Sequence, residues 1–134
     1  MNPIALGLAL ATAQWNGTGE PMAVLCPEPV RGRCRAHVRR ANRQRRALHA
    51  WRVHRRRATG PWQSWLRSTR WCESHGNYRT DTGNTFYGAY QFTYGTWRAV
   101  GGLGLPHRNP PLEQDYRAVV LVRTAGTGPW PVCG

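Results

Sequence analysis

The sequence predicts a mainly helical α+β domain over about residues 60–134, carrying one short hairpin and preceded by a basic N-terminal arm. Three observations predict it. Twelve of the fourteen Trp, Tyr and Phe residues follow residue 60, whereas twelve of the nineteen Arg precede it. After Pro61, apolar residues recur at three- and four-residue spacing, the helical period. An Asp-Thr-Gly-Asn turn at 81–84, flanked by aromatics, marks the hairpin.

Residues 1–30 show no periodicity, and Gly17, Gly19, Pro21, Pro27 and Pro29 break them into turns. They read as a leader or flexible arm. Ile4–Ala13 is apolar and ends Ala11-Thr12-Ala13, the small-x-small form of a leader cleavage site, but it lacks a basic start. Asn16-Gly17-Thr18 has the form of a glycosylation sequon, a pattern without meaning in a bacterial product. No stretch reaches the roughly 18–20 apolar residues that span a bilayer.

Residues 31–59 form an Arg-rich arm. From Ala36 it lacks Gly and Pro up to Thr59, and Ala41, Ala47, Leu48, Ala50 and Trp51 favour helix. Val38, Ala41, Leu48 and Trp51 supply a thin apolar stripe. Mutual repulsion of twelve guanidinium groups predicts a weak helix without an anionic partner. The net charge of +13 is concentrated here. All its cations are Arg, which a GC-rich coding bias would also produce.

Gly60-Pro61 marks the boundary. Pro61 suits the first turn of a helix, and Trp62, Trp65, Leu66, Thr69 and Cys72 define its apolar stripe. This helix should end near Ser74, before Gly76. An extended or hairpin segment follows over 77–87. A second helix is expected over Thr93–Val100, capped by Thr93 and ended by Gly101-Gly102. The last helix should run from Pro110-Pro111 to about Thr124. Glu113 and Asp115 near its start and Arg123 near its end complement the dipole, and Leu112, Tyr116, Val119 and Val120 form its core face.

Glu73 lies at the end of the first of these helices. The negative helix pole and aromatic cover both favour its protonated form, raising its pKa above the usual value of about 4.3. Such a carboxyl can protonate a leaving oxygen near neutral pH. On spacing alone the commoner reading is a solvated acid at a helix end.

The run Cys72-Glu73-Ser74-His75-Gly76-Asn77-Tyr78, then Thr82–Phe92, Gly95-Thr96-Trp97 and Gly128–Cys133, resembles the catalytic domain of the resuscitation-promoting factors. These are bacterial cell-wall lytic enzymes of lysozyme-like, transglycosylase-like fold. The resemblance covers about residues 62–134 and does not extend over 1–60. It implies that Glu73 is the catalytic acid and that Cys72 and Cys133 form a disulfide. It also implies that Gln91 and Thr96 line the substrate groove, Gly88-Ala89-Tyr90-Gln91 matching the Gly-x-x-Gln element of related lytic transglycosylases.

The implied reaction is cleavage of the β-1,4 bond between N-acetylmuramic acid and N-acetylglucosamine in peptidoglycan, with either an anhydro or a hydrolysed product. Tyr78 and Tyr87 flank the expected groove as candidates to stack on sugar, with Asn77 beside them; packing is the alternative for both tyrosines. Trp62, Trp65, Trp97 and Trp130 read as core. Where the family commonly has Asn, this chain has Asp81, either a second carboxylate or a turn cap. His75 replaces a usual Gly and reads as a surface residue or a substrate contact.

Cys26 and Cys34 are candidates for a second, small-loop disulfide. With His37 they fit no familiar zinc spacing, and neither metal nor cofactor is expected. Disulfides favour an extracellular or cell-wall location, by secretion or as a phage-encoded lytic factor. The chain is expected to act as a monomer on glycan strands. The Arg arm is expected to be a solvated tether or to hold an anionic wall or membrane surface, with nucleic acid ranked last. A wall-binding module without turnover is the alternative to an enzyme.

Overall fold

In the computed structural model, residues 31–134 are described; the expected leader, the sequon and Cys26 fall outside them. The described residues divide between Ala47 and Leu48 into two units. Helix α1 covers Arg31–Thr59, 29 residues. It starts earlier than expected and accommodates Gly32. Its stripe is as thin as its composition suggests, and Leu48 stays 48% exposed.

Within the second unit the end of α1 is anchored by specific contacts. The Arg55 guanidinium lies 4.5 Å from the Trp51 ring centroid and 4.6 Å from that of Tyr116. Arg55 also pairs with Glu113, which Arg117 contacts from the next turn. His54 meets the Tyr116 ring edge-on at 5.5 Å. These contacts offset the repulsion that argues against a helix here.

A 3-10 turn over Gly60–Trp62, with Pro61 in its first positions, leads into α2, Gln63–Ser74. Leu66 and Thr69 form its buried face. The helix ends where expected: His75 takes a left-handed conformation, its amide donating to Trp71 O, and the Gly76 amide donates to Arg70 O.

The hairpin is displaced from its expected position. Strands β1 (Phe86–Tyr87) and β2 (Phe92–Thr93) pair antiparallel, with Phe86 opposite Thr93 and Tyr87 opposite Phe92. The connection is therefore Gly88–Gln91, not the Asp81–Asn84 turn, which touches the sheet through an Asp81–Tyr87 bridge and through Asn84 Oδ1, which accepts the Phe86 amide at 3.2 Å. Gln114 explains the difference. Its Oε1 accepts the Ala89 amide at 3.0 Å, while its Nε2 donates to the carbonyls of Tyr78 and Asn109. This buried amide pulls the 88–91 loop onto the core. Gly88 is required there: its φ is +73°, and a Cβ would lie 2.3 Å from Gln114 Oε1.

Helix α3 spans Tyr94–Ala99, and the Thr93 hydroxyl caps it by accepting the Thr96 amide at 3.1 Å. A 3-10 turn over Pro106–Arg108 precedes α4, Pro111–Ala125. Leu66, Ala89, Tyr90, Trp97 and Ala118 are fully buried, with Phe92, Val119 and Trp130 nearly so. Trp62 and Trp65 pack against this core. On α4 the buried face comprises Glu113, Gln114, Ala118, Val119, Leu121 and Val122, rather than Leu112 and Tyr116. Tyr116 is instead held beneath the Arg55 and Arg117 guanidinium groups. The fold is thus mainly helical with one small hairpin. No helix among the described residues is long and apolar enough to cross a membrane.

Candidate active site

Glu73 is the penultimate residue of α2. The adjacent Cys72 is bonded to Cys133, with 5.6 Å between their Cα atoms, so the C-terminal segment returns beside the helix end. A cleft of about 450 Å³ results, lined by Glu73, Phe86, Gln91, Pro131, Val132 and Cys133 among others. Trp130 walls it from below, only 3% exposed, its indole N–H donating to Tyr90 O at 2.8 Å. A smaller recess of about 110 Å³ shares Phe86, Gln91 and Trp130 and adds Thr93 and Thr96.

Desolvation raises the Glu73 carboxyl above its ordinary pKa. Among the described residues, no other acidic side chain lines either the cleft or the recess. Gln91 has a φ of +48°, an unusual backbone for a residue with a Cβ. Its side-chain amide donates to Gly88 O at 3.0 Å, leaving its carbonyl oxygen to accept from a ligand. The Thr96 hydroxyl accepts from that of Thr93 at 2.9 Å. Gln91 thus borders both the cleft that Glu73 lines and the recess that Thr96 lines.

The other candidates lie elsewhere. The Tyr78 hydroxyl donates to Asp115 at 2.7 Å, and its ring meets Tyr90 edge-on. Tyr90 donates to the same carboxylate oxygen at 2.6 Å, and Arg70 approaches from α2. Desolvation, followed by the Asp115 contacts, pushes both phenols well above their ordinary range. Asn77 is exposed and accepts the Arg79 amide in a turn. Tyr87 stacks against His107 at 5.4 Å. Asp81 accepts the Gly83 amide at 3.3 Å, the local turn contact, and faces His107 Nε2 at 3.5 Å.

Sequence reasoning missed four contributors. Phe86 and the Pro129–Val132 segment line the cleft; proximity to Cys133 was the available signal for that segment. Gln114 looks like an ordinary helical polar residue, and nothing in its spacing reveals that it is fully buried. Ser74 closes the helix end, its hydroxyl donating to Ala89 O at 2.9 Å.

A helical domain with one desolvated carboxyl at a helix end, facing a cleft closed by a disulfide, belongs to a recognisable class of cleft-bearing domains. The transglycosylase-like domain family matches residues 61–133, more than half of the chain, and the chain belongs to that family. It is similar to resuscitation-promoting factor Rpf of Micrococcus luteus, 50% identical over 62 residues that make 46% of this chain and 28% of that one. It is also similar to RpfE of Mycobacterium tuberculosis, 48% identical over 63 residues, 47% of this chain and 37% of that one. RpfB of Mycolicibacterium smegmatis is 40% identical over 65 residues, 46% of this chain and 18% of its own. The matched segment thus spans less than half the length of each of these relatives.

Proposed function

We propose that the chain cleaves glycan strands of peptidoglycan at the β-1,4 bond between N-acetylmuramic acid and N-acetylglucosamine, with Glu73 as the acid. The observation that carries this reading is a lone carboxyl, raised in pKa by desolvation, on a cleft shared with Gln91. Membership of the transglycosylase-like family supports it.

In the proposed reaction Glu73 donates its proton to the bridging oxygen as the C1–O bond breaks and positive charge develops at C1. The Glu73 carboxylate then takes the proton from the same sugar's 6-hydroxyl, whose oxygen bonds to C1. A 1,6-anhydro sugar forms and the acid is regenerated, without water as a reactant. That Glu73 is the one carboxylate among the described residues of the cleft lining favours this route over water attack. Gln91 and Thr96 would hold the strand by hydrogen bonds.

The natural place of action would be the cell wall, reached by secretion or in a phage-encoded lytic factor, with the chain acting as a monomer. The Arg-rich stretch of α1 would hold the protein on an anionic wall or membrane surface by charge attraction. Digestion of purified sacculi followed by mass spectrometry tests the reaction. Fragments one water lighter than hydrolysed muropeptides are expected. Wall binding without any released fragment would instead identify a binding module.

A further inference from the structure

A second depression lies on the other side of α2. At roughly 100° per residue, Trp71 points about 200° around the helix from Glu73. Trp71 is 64% exposed. It forms, with Ser64, Arg67, Ser68, Arg70 and His75, an open cleft of about 680 Å³ that has no acidic lining residue among the described residues. The two arginines differ. Arg70 is turned toward Tyr90 and Asp115, at 3.5 Å and 4.0 Å. Arg67 is exposed and forms no ion pair among the described residues.

His75 adds an independent observation. Its φ is 53°, a left-handed backbone that glycine adopts freely and that a Cβ disfavours. Glycine there would close the helix equally well but would supply no ring. His75 instead places its imidazole edge-on to the Trp71 indole at 5.4 Å.

We propose that the Trp71 face of α2 is an auxiliary binding site for an acidic saccharide, a sugar ring bearing a carboxylate. The exposed indole offers a flat apolar surface for the C–H face of the ring. Arg67 supplies the fork that a carboxylate accepts. The Ser68 hydroxyl donates to the Ser64 and Trp65 carbonyls, which leaves its oxygen to accept from a sugar hydroxyl. The site rests on the function proposed above. In a wall strand the lactyl carboxylate of a muramic acid is free wherever its stem peptide has been removed, so one such polymer can present ligands to both sides of α2. A weak second site then retains the protein on the polymer by raising the local concentration of sugar.

The test uses the full chain as Glu73→Gln, to prevent turnover, in a titration followed by NMR. The probes are the disaccharide of N-acetylglucosamine and N-acetylmuramic acid with its lactyl carboxylate free, and neutral diacetylchitobiose. The Trp71 indole resonance, assigned with Trp71→Phe, should shift saturably with the acidic sugar. Binding at that resonance should weaken severalfold with the neutral sugar and with Arg67→Gln. Cosedimentation of Trp71→Ala with sacculi partly stripped of stem peptides by an amidase, once its fold is checked by circular dichroism, should fall on the order of tenfold. An unmoved Trp71 resonance, or equal shifts with both sugars, overturns the proposal. So does tighter binding there of an oligonucleotide than of the acidic sugar. The Gln91 side-chain amide reports the Glu73 cleft in the same spectra, so failure of the cleft reading is seen separately.

Discussion

The Ser74 hydroxyl donates to the Ala89 carbonyl across 2.9 Å, tying the end of α2 to the loop between the two strands. Glu73 precedes Ser74 and Gln91 follows Ala89 by two residues, so this bond sets how the two flank one cleft. Ser74 is a positioning residue, since it lines neither the cleft nor its recess. Ser74→Ala should cost about 1 kcal/mol of stability, the usual net value of such a bond. It should lower kcat more than it raises KM on soluble glycan fragments. Thr at this position, which keeps the hydroxyl, should restore most of the loss. Urea denaturation and steady-state kinetics on the three proteins check both halves.

Glu73 links stability and activity in opposite directions. Desolvation raises its pKa in the fold, so the folded chain retains a proton that the unfolded chain has released. Its contribution to stability therefore falls as pH rises from the unfolded pKa, about 4.3, through the folded value. Glu73→Gln should remove that slope and be no less stable than the parent at neutral pH. Lytic activity should drop by at least about a hundredfold, the scale of a lost general acid. In the parent, kcat/KM should decline on the alkaline side as Glu73 loses its proton. Thermal melts and rates measured across pH on both proteins decide the matter.

The disulfide is both a staple and a wall of the site. Cys72 and Cys133 are separated by 61 positions, and closing such a loop contributes about 4 kcal/mol in the chain-entropy model. A core built on few residues depends on this contribution. Changing both cysteines to Ser should lower the unfolding free energy by an amount of that order. Because Cys133 and Val132 line the cleft, residual folded protein should also lose activity beyond the loss of folded fraction. Comparing activity per folded molecule with equilibrium unfolding, in the parent and the double variant, separates the two effects.

Local signals made the helices readable before the structure. Pro61 at a first turn, Thr93 as a side-chain cap and Pro111 at the start of α4 each act within a few residues of themselves. The pairing of Cys72 with Cys133 followed from the resemblance, and it carried with it the nearness of Glu73 to the chain end. Long-range polar contacts left no such trace. Asp115 and Glu113 satisfy a helix-dipole pattern, yet one collects two phenols and the other two guanidinium groups. The hairpin was misplaced for the same reason: Asp81–Asn84 has turn chemistry, but Gln114, 25 residues beyond Ala89, holds the loop that actually joins the strands. Tyr78 lies near Glu73 in sequence, and its hydroxyl points to a core carboxylate that no local spacing announces.

Glu113 is where the last turns of α1 meet α4. Burial alone would raise its carboxyl, but hydrogen bonds from Arg55 and Arg117 outweigh that and hold it below its ordinary range. The fold therefore favours the ionised form, and the stabilisation is present above the unfolded pKa of about 4.3. It should be lost as pH falls through the lower folded value. The three side chains are 9% to 16% exposed, so removing the carboxylate leaves two guanidinium groups poorly compensated. Glu113→Gln should cost roughly 3 kcal/mol at neutral pH. Arg55→Met should cost less, because Arg117 still neutralises the acid and the aliphatic stem is kept. Both variants should flatten the acid limb of the stability profile, Glu113→Gln the more completely. Urea midpoints measured from neutral pH down to pH 3 test this, and an unchanged acid limb in Glu113→Gln would show that the triad contributes nothing to anchoring α1.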